Sequence, residues 1–181
     1  MADYKKLVPF VLSWEGGFAC VKGDAGGATN RGVTIATFRM VYGKDKTVTD
    51  LKNMTDDEWG HIFKKYFWDK CGGDGIKDQN VADMLVDYAW HSGVSRAVKT
   101  IQKMVGVATD GVVGSKTIAA MNGYSRGQVQ LFATLKARRI SHLEGIVTAN
   151  PSQSKFLKGW KNRVNAIGYG CLSYNGKVHK L

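Results

Sequence analysis

Trp14-Glu15-Gly16-Gly17-Phe18, followed by Asp24-Ala25-Gly26-Gly27-Ala28-Thr29-Asn30-Arg31-Gly32-Val33-Thr34, is the stretch on which the fold turns. Upstream of it, Leu7, Phe10, Val11 and Trp14 recur at i, i+3, i+4 and i+7, the spacing of one helix face, and the Gly16-Gly17 pair stops that helix just past Glu15. An acid therefore stands at a helix C-terminus. From Gly17 to Ile35 the composition turns to glycine, small residues and short β-prone patches such as Gly32-Val33-Thr34-Ile35, which predicts an irregular hairpin or short sheet.

The place of Glu15 has a chemical consequence. The negative end of the helix dipole and the apolar neighbour Trp14 both disfavour its charged form. A carboxyl that keeps its proton is what a general acid needs to protonate the leaving oxygen of a glycosidic bond near neutral pH. Periodicity alone also fits a solvated helix-end glutamate with no role in chemistry. Asp24 follows within the glycine-rich stretch, where a short hairpin would fold it back across a cleft from Glu15. Two carboxylates facing one bond is the arrangement of glycoside hydrolysis, and the Thr29 hydroxyl would help Asp24 hold a water. Taken alone, Asp24 reads equally as a turn former among glycines.

Further along, Thr55-Asp56-Asp57-Glu58 is a capping box that opens a helix expected to run to about Lys70. Cys71-Gly72-Gly73-Asp74-Gly75 is the loosest-looking stretch and the candidate hinge between an N-terminal lobe, residues 1–73, and a helical C-terminal lobe, residues 74–181. Val81, Met84, Leu85 and Tyr88 mark a helix closed near Gly93, and Ala97, Ile101, Met104 and Val105 mark the next, closed by Gly106. Asp110 to Thr117 reads as a tight turn with a helix starting near Ser115. A long helix from about Arg126 to Thr148 follows, then one from about Ser152 to Ile167, and Asn175-Gly176 places a hairpin in the tail. His91 falls at a helix end in Asp87-Tyr88-Ala89-Trp90-His91-Ser92-Gly93, either packed or touching a sugar. Trp14, Trp59, Trp68, Trp90 and Trp160 are each able to stack on a sugar ring, though most are expected in the core.

Among 181 residues, 26 lysines and arginines face 15 acids, a net charge of +11 that favours a polyanionic partner such as nucleic acid, acidic polysaccharide or a bacterial wall. The charge is spread over pairs such as Lys5-Lys6, Lys64-Lys65 and Arg138-Arg139. No basic block or reading motif supports specific nucleic-acid binding. A hydrophobic fraction of 44% is ordinary for a chain that buries a core, and excludes the composition of disorder. Cys20, Cys71 and Cys171 are widely spaced and form no CxxC pair, so the expectation is three reduced, mostly buried thiols and neither a zinc site nor a disulfide framework. The apolar run from Leu7 to Leu12 is broken by Pro9 and followed by Glu15, too short for a signal core. No stretch approaches a membrane span.

Together, the two runs quoted at the outset resemble the signature of the N-acetylmuramidases of glycoside hydrolase family 108, lysozyme-like enzymes of phages, prophages and bacterial secretion cargo. Asp110-Gly111-Val112-Val113-Gly114-Ser115-Lys116-Thr117 is similar to the DGxxGxxT turn of peptidoglycan-binding helical modules, and Gly159-Trp160-Lys161-Asn162-Arg163-Val164 to the closing helix of the same family, so the resemblance covers most of residues 5 to 167. It implies a mainly α (α+β), lysozyme-like fold of two lobes with a small β element beside the cleft. It also implies hydrolysis of the β-1,4 bond between N-acetylmuramic acid and N-acetylglucosamine in peptidoglycan glycan strands. Glu15 would be the general acid, Asp24 and Thr29 would hold the water or the developing cation, and Asn30 and His91 would touch the sugar. No cofactor, metal or nucleotide is required. The expected protein is a monomer, made in the cytoplasm without a cleavable signal and acting on the wall after release or export. The rivals are a lytic transglycosylase, which forms an anhydro sugar with one glutamate, and a peptidoglycan-binding protein that has lost catalysis.

Overall fold

Asp3 accepts a hydrogen bond from the Lys5 amide and opens helix α1 (Tyr4–Trp14), which buries Leu7, Phe10 and Val11 and leaves Pro9 on its outer flank. The computed structural model describes residues 1–20 and 27–181, so the Asp24 expectation lies outside the described residues. At Glu15 the backbone turns extended (φ −91°, ψ 137°), which ends α1 at the position the glycine pair indicates. Strand β1 (Thr29–Asn30) pairs antiparallel with β2 (Val33–Thr34) around an Arg31-Gly32 turn in which both residues have positive φ, 47° and 78°. Ala19 extends this small sheet by two backbone hydrogen bonds of 2.8 Å to Thr29.

Three short helices follow. Thr34 caps α2 (Ile35–Tyr42), and capping boxes of Thr47 with Asp50 and Thr55 with Glu58 open α3 (Val48–Lys52) and α4 (Asp56–Phe63). Of these only α4 was expected from the sequence, and it is shorter than the run to Lys70. After Phe63 the chain widens into a π-helical turn over Lys64–Trp68 and tightens into a 3-10 turn over Asp69–Cys71. Across that change of pitch Phe63, Trp68 and Cys71 all lie in the core. The glycine run expected as a hinge is packed. A Cβ on Gly73 would collide with the Trp68 indole, which donates to Asp74 Oδ1 at 2.6 Å.

Helix α5 (Gln79–Ser92), capped by Asp78, is the central element, buried continuously from Val81 to Ala89. It packs against α6 (Val94–Val105) and α8 (Gln128–Ala149), with α7 (Ser115–Asn122) laid on α6 and α9 (Ser154–Asn165) on α8. Gln102 on α6 holds the Asp110 turn, donating to Asp110 Oδ1 at 2.7 Å and accepting from the Gly111 amide at 2.9 Å. The tail folds into a three-stranded antiparallel sheet of β3 (Ile167–Gly168), β4 (Cys171–Tyr174) and β5 (Lys177–Lys180), with β4 laid on α1. One hydrophobic core runs from Ala2 through to Leu172. Of the three thiols only Cys71 is buried, and burial pushes its pKa up to about 12. Cys171 is half-buried and Cys20 exposed, which corrects the expectation of mostly buried cysteines. No helix among the described residues is long and apolar enough to cross a membrane.

Candidate active site

Glu15 hangs from the end of α1 into a cavity of about 390 Å³ walled by Trp14, Gly32, Trp90, His91, Gly159, Trp160 and Arg163. Among the described residues two donors reach it, and they converge on one oxygen: Trp90 Nε1 and Arg163 Nη1 each donate to Oε1 at 2.7 Å. The other oxygen faces the Arg31-Gly32 turn so closely that a Cβ on Gly32 would fall 2.6 Å from Oε2 and 2.7 Å from Trp90 Cζ2. A side chain at position 32 would strain the positive-φ turn and collide with the carboxylate, so only glycine lets the hairpin tip close over Glu15. The acid thus has one oxygen clamped and one turned to the hairpin.

Behind Glu15 lies a buried charge network. Arg163 spans two carboxylates, reaching Glu15 with Nη1 and donating to Asp87 Oδ1 from Nη2 at 2.8 Å and from Nε at 3.1 Å. Arg139 Nη2 stands 2.7 Å from Asp87 Oδ2 as an ion pair without hydrogen-bond alignment, and its guanidinium lies 5.7 Å over the Tyr88 ring. Asp87 and Arg139 are fully buried. Burial alone would push the Asp87 carboxyl up, but Arg163 and Arg139 outweigh it and hold its pKa down at about 2. Burial likewise opposes the charge on Arg163, and the Asp87 and Glu15 carboxylates overcome it, so its pKa is raised. Two guanidiniums thus converge on the buried Asp87 carboxylate, and one of them reaches on to Glu15.

His91 lines the same cavity, its ring 6.0 Å from that of Trp160 and edge-on to it. Burial, reinforced by Arg139 and Arg163, lowers its pKa to about 4, so the imidazole is neutral at pH 7, and its Nδ1 has no partner among the described residues. Thr29 sits in β1 opposite Thr34, tied through its backbone to Ala19. Asn30, the next residue, points the other way. Its side chain is buried and donates to the carbonyls of Leu51 at 2.9 Å and Lys52 at 3.1 Å, anchoring the hairpin on α3. Neither Thr29 nor Asn30 is among the residues that wall the Glu15 cavity, and the Asn30 amide, expected to touch the sugar, is taken up by the α3 carbonyls.

Of the five tryptophans, Trp59 and Trp68 belong to the core, whereas Trp14, Trp90 and Trp160 wall the Glu15 cavity. Reading the sequence for chemistry missed Arg163, Asp87 and Arg139. A signal existed: Asp87 interrupts the apolar α5, and Arg139 stands between Leu135 and Leu143 on one face of α8. A larger cavity of about 750 Å³ runs along the flank of α1 past Lys5, Val8 and Leu12, but its carboxylates are on the open surface, with the Asp56 side chain 94% exposed and paired to Arg31. No cluster of His, Cys, Asp and Glu able to hold a metal occurs among the described residues.

A helix-end carboxyl fixed by an indole and a guanidinium, in an aromatic-walled cavity of a mainly helical fold, suits acid-assisted cleavage of a glycosidic bond, and comparison with known proteins places the chain among the glycoside hydrolases. The family model for glycosyl hydrolase 108 matches residues 8–93, and the model described as "Predicted Peptidoglycan domain" matches residues 96–165. The solved structure of Brucella abortus SagA is 36% identical, with a TM-score of 0.78, over 91% of this chain and 90% of that one. No curated protein matches. The chain belongs to the glycosyl hydrolase 108 family and is a peptidoglycan hydrolase.

Proposed function

We propose that Glu15 is the general acid of a muramidase, with Asp24 and Thr29 holding the attacking water. The bond cut is the β-1,4 linkage between N-acetylmuramic acid and N-acetylglucosamine. Glu15 gives its proton to the glycosidic oxygen as the bond to C1 breaks, the water oxygen bonds C1, and the proton that water loses passes to a carboxylate. Thr29, in the hairpin whose tip closes on Glu15, offers a hydroxyl for that water, and Asp24 supplies the second carboxylate. The neutral His91 ring lends its unpartnered Nδ1 to a sugar hydroxyl or acetamide, and Trp14 and Trp160 give the sugar rings flat apolar faces. The observation that carries this reading is the convergence of Trp90 and Arg163 on one oxygen of Glu15. It pins a single carboxyl at the mouth of an aromatic cavity.

Residues 1–73 carry the acid and the hairpin, and residues 74–181 supply the helical lobe that closes the site from behind. The protein works as a monomer in a phage or prophage lysis setting, reaching the wall by release or export. Its test has two arms. Glu15→Gln keeps the shape and removes the transferable proton, so wall lysis falls by about 10²-fold or more with unfolding unchanged. Near-normal lysis by a folded variant sinks the assignment. Hydrolysis leaves reducing muramic ends that borohydride converts to muramitol, whereas products dominated by a non-reducible 1,6-anhydro sugar identify a transglycosylase.

A further inference from the structure

Trp14 is 36% exposed although it is a large apolar residue beside Glu15. Besides walling the Glu15 cavity, it lines a second one, of about 370 Å³, with Ser173, Tyr174, Asn175, Lys177 and Val178 of the C-terminal hairpin. The two cavities meet at this one side chain. Phe10, in the core, seats both aromatic rings of the second cavity, with centroids 6.2 Å from Trp14 and 6.2 Å from Tyr174, and Tyr174 is stacked on His179 at 3.8 Å. The turn above them is an Asn175-Gly176 pair with φ of 51° and 72°, the tight geometry that suits a two-residue hairpin. The pocket is therefore built on a rigid frame.

Its chemistry suits a sugar. A pyranose packs its C–H face on an aromatic ring and needs polar partners at its rim. Trp14 and Val178, the latter 68% exposed, give the apolar floor. The Ser173 hydroxyl, the Asn175 amide and the Lys177 ammonium stand around it, and none of the three side chains is hydrogen-bonded to another described residue. On α9 a matching surface borders the Glu15 cavity, where Phe156, 45% exposed, stacks on Trp160 at 5.9 Å. Aromatic rings thus run from Phe156 through Trp160 and Trp14 to Tyr174, past the Glu15 carboxyl. The hairpin lies beyond residue 165, outside both matched family segments.

We propose that Trp14 and the Ser173–Val178 hairpin form a further sugar subsite that takes an N-acetylhexosamine of the same glycan strand, across Trp14 from the cavity that holds the scissile bond. The assignment rests on the reading that the Glu15 cavity holds that bond. It makes cleavage depend on chain length: a long strand gains the extra contact, and a short one does not reach it.

The experiment compares peptide-free peptidoglycan glycans of four and eight sugars, with kcat/KM read from newly formed reducing ends. Two variants spare the turn residues: the double variant Ser173→Ala with Lys177→Ala, which strips the rim, and Ser173→Trp, which fills the pocket. The wild type should favour the eight-sugar strand, and both variants should lose about tenfold on it while keeping their four-sugar activity. Variants that keep the wild-type preference, a wild type that shows none, or equal loss on both substrates would each overturn the subsite. A wild type that cleaves neither glycan would instead overturn the hydrolase reading of Glu15.

Discussion

Arg163 is the residue on which catalysis and stability meet, because a single guanidinium serves Glu15 at 2.7 Å and Asp87 at 2.8 Å. Its side chain is only 7% exposed and that of Asp87 is fully buried, so water does not replace a lost partner. Arg163→Gln should cost about 3 kcal/mol in urea unfolding, since Asp87 keeps only Arg139, and should also depress wall lysis by freeing the Glu15 carboxyl to rotate. Arg163→Lys restores one charge but not the fork that spans two carboxylates, so it should recover part of the stability and little of the activity. A lysine variant with full lysis would show that the clamp on Glu15 is dispensable. Glu15 could be picked out from its place before two glycines. Arg163 could not, because its partner lies 148 residues away in the chain.

At the scale of elements, α5 carries Asp83, Asp87 and His91 four residues apart along one stripe, the two aspartates fully buried and His91 at the cavity wall. Asp83 receives one hydrogen bond, from Gln79 at 2.7 Å to Oδ1, and its Oδ2 has no partner among the described residues. Burial raises its pKa from 3.8 to about 7. The folded state then holds a proton that the unfolded chain has released, so this group's contribution is complete below about pH 4 and is lost as pH rises towards 7, at about 1.4 kcal/mol per unit. His91, lowered to about 4, acts with the opposite sign: it favours the folded state as pH rises from about 4 to 6.5. The wild-type profile therefore mixes the two. The difference between Asp83→Asn and wild type isolates Asp83, and the variant should gain relative stability between pH 5 and pH 8 in parallel urea melts. A pH-independent difference would mean that Asp83 is ionised in the fold throughout.

The joint between α4 and α5 yields a second element-scale prediction. Gly73→Ala drives a methyl into the fully buried Trp68 indole, which is held by its bond to Asp74, and should cost about 2 kcal/mol in thermal or urea unfolding. A neutral Gly73→Ala would show that the turn yields as a hinge would. Composition alone made this glycine run look loose, because glycine marks both flexible chain and backbone pressed close to a large ring. The widened turn at Lys64–Trp68 was hidden for a related reason: apolar residues there satisfy more than one helical pitch, and only the core they enter selects among them.

For the whole molecule, a net charge of +11 acts at long range on an anionic wall and not on the chemistry at Glu15. Raising salt from 0.1 M to 1 M shortens the Debye length from about 10 Å to about 3 Å, so lysis of intact wall should slow more than cleavage of a short soluble glycan. Equal salt sensitivity on both would deny the charge that role. The hydrolase-family match ends at residue 93, yet Trp160 and Arg163 wall the Glu15 cavity from the segment matched as a peptidoglycan domain. The two matched segments share one core and one cavity.

The sequence by itself determined the helices whose apolar residues recur on one face and whose ends carry glycine or a capping box: α1 stopping at Glu15, α5 closing at Gly93, α6 at Gly106 and the Asn175-Gly176 hairpin. These depend on contacts within a few residues, so local pattern suffices. It did not disclose α2 and α3, whose few buried positions, Phe38 and Leu51, are too sparse to show a period. Only the tertiary structure decided that Asn30 turns inward to α3, that Gly32 presses on Glu15, and that Arg139 and Arg163 both pair with Asp87 behind it. A charge in an apolar helix is legible as an exception, but its partner is chosen by packing between helices, and that choice is written in no single stretch of the chain.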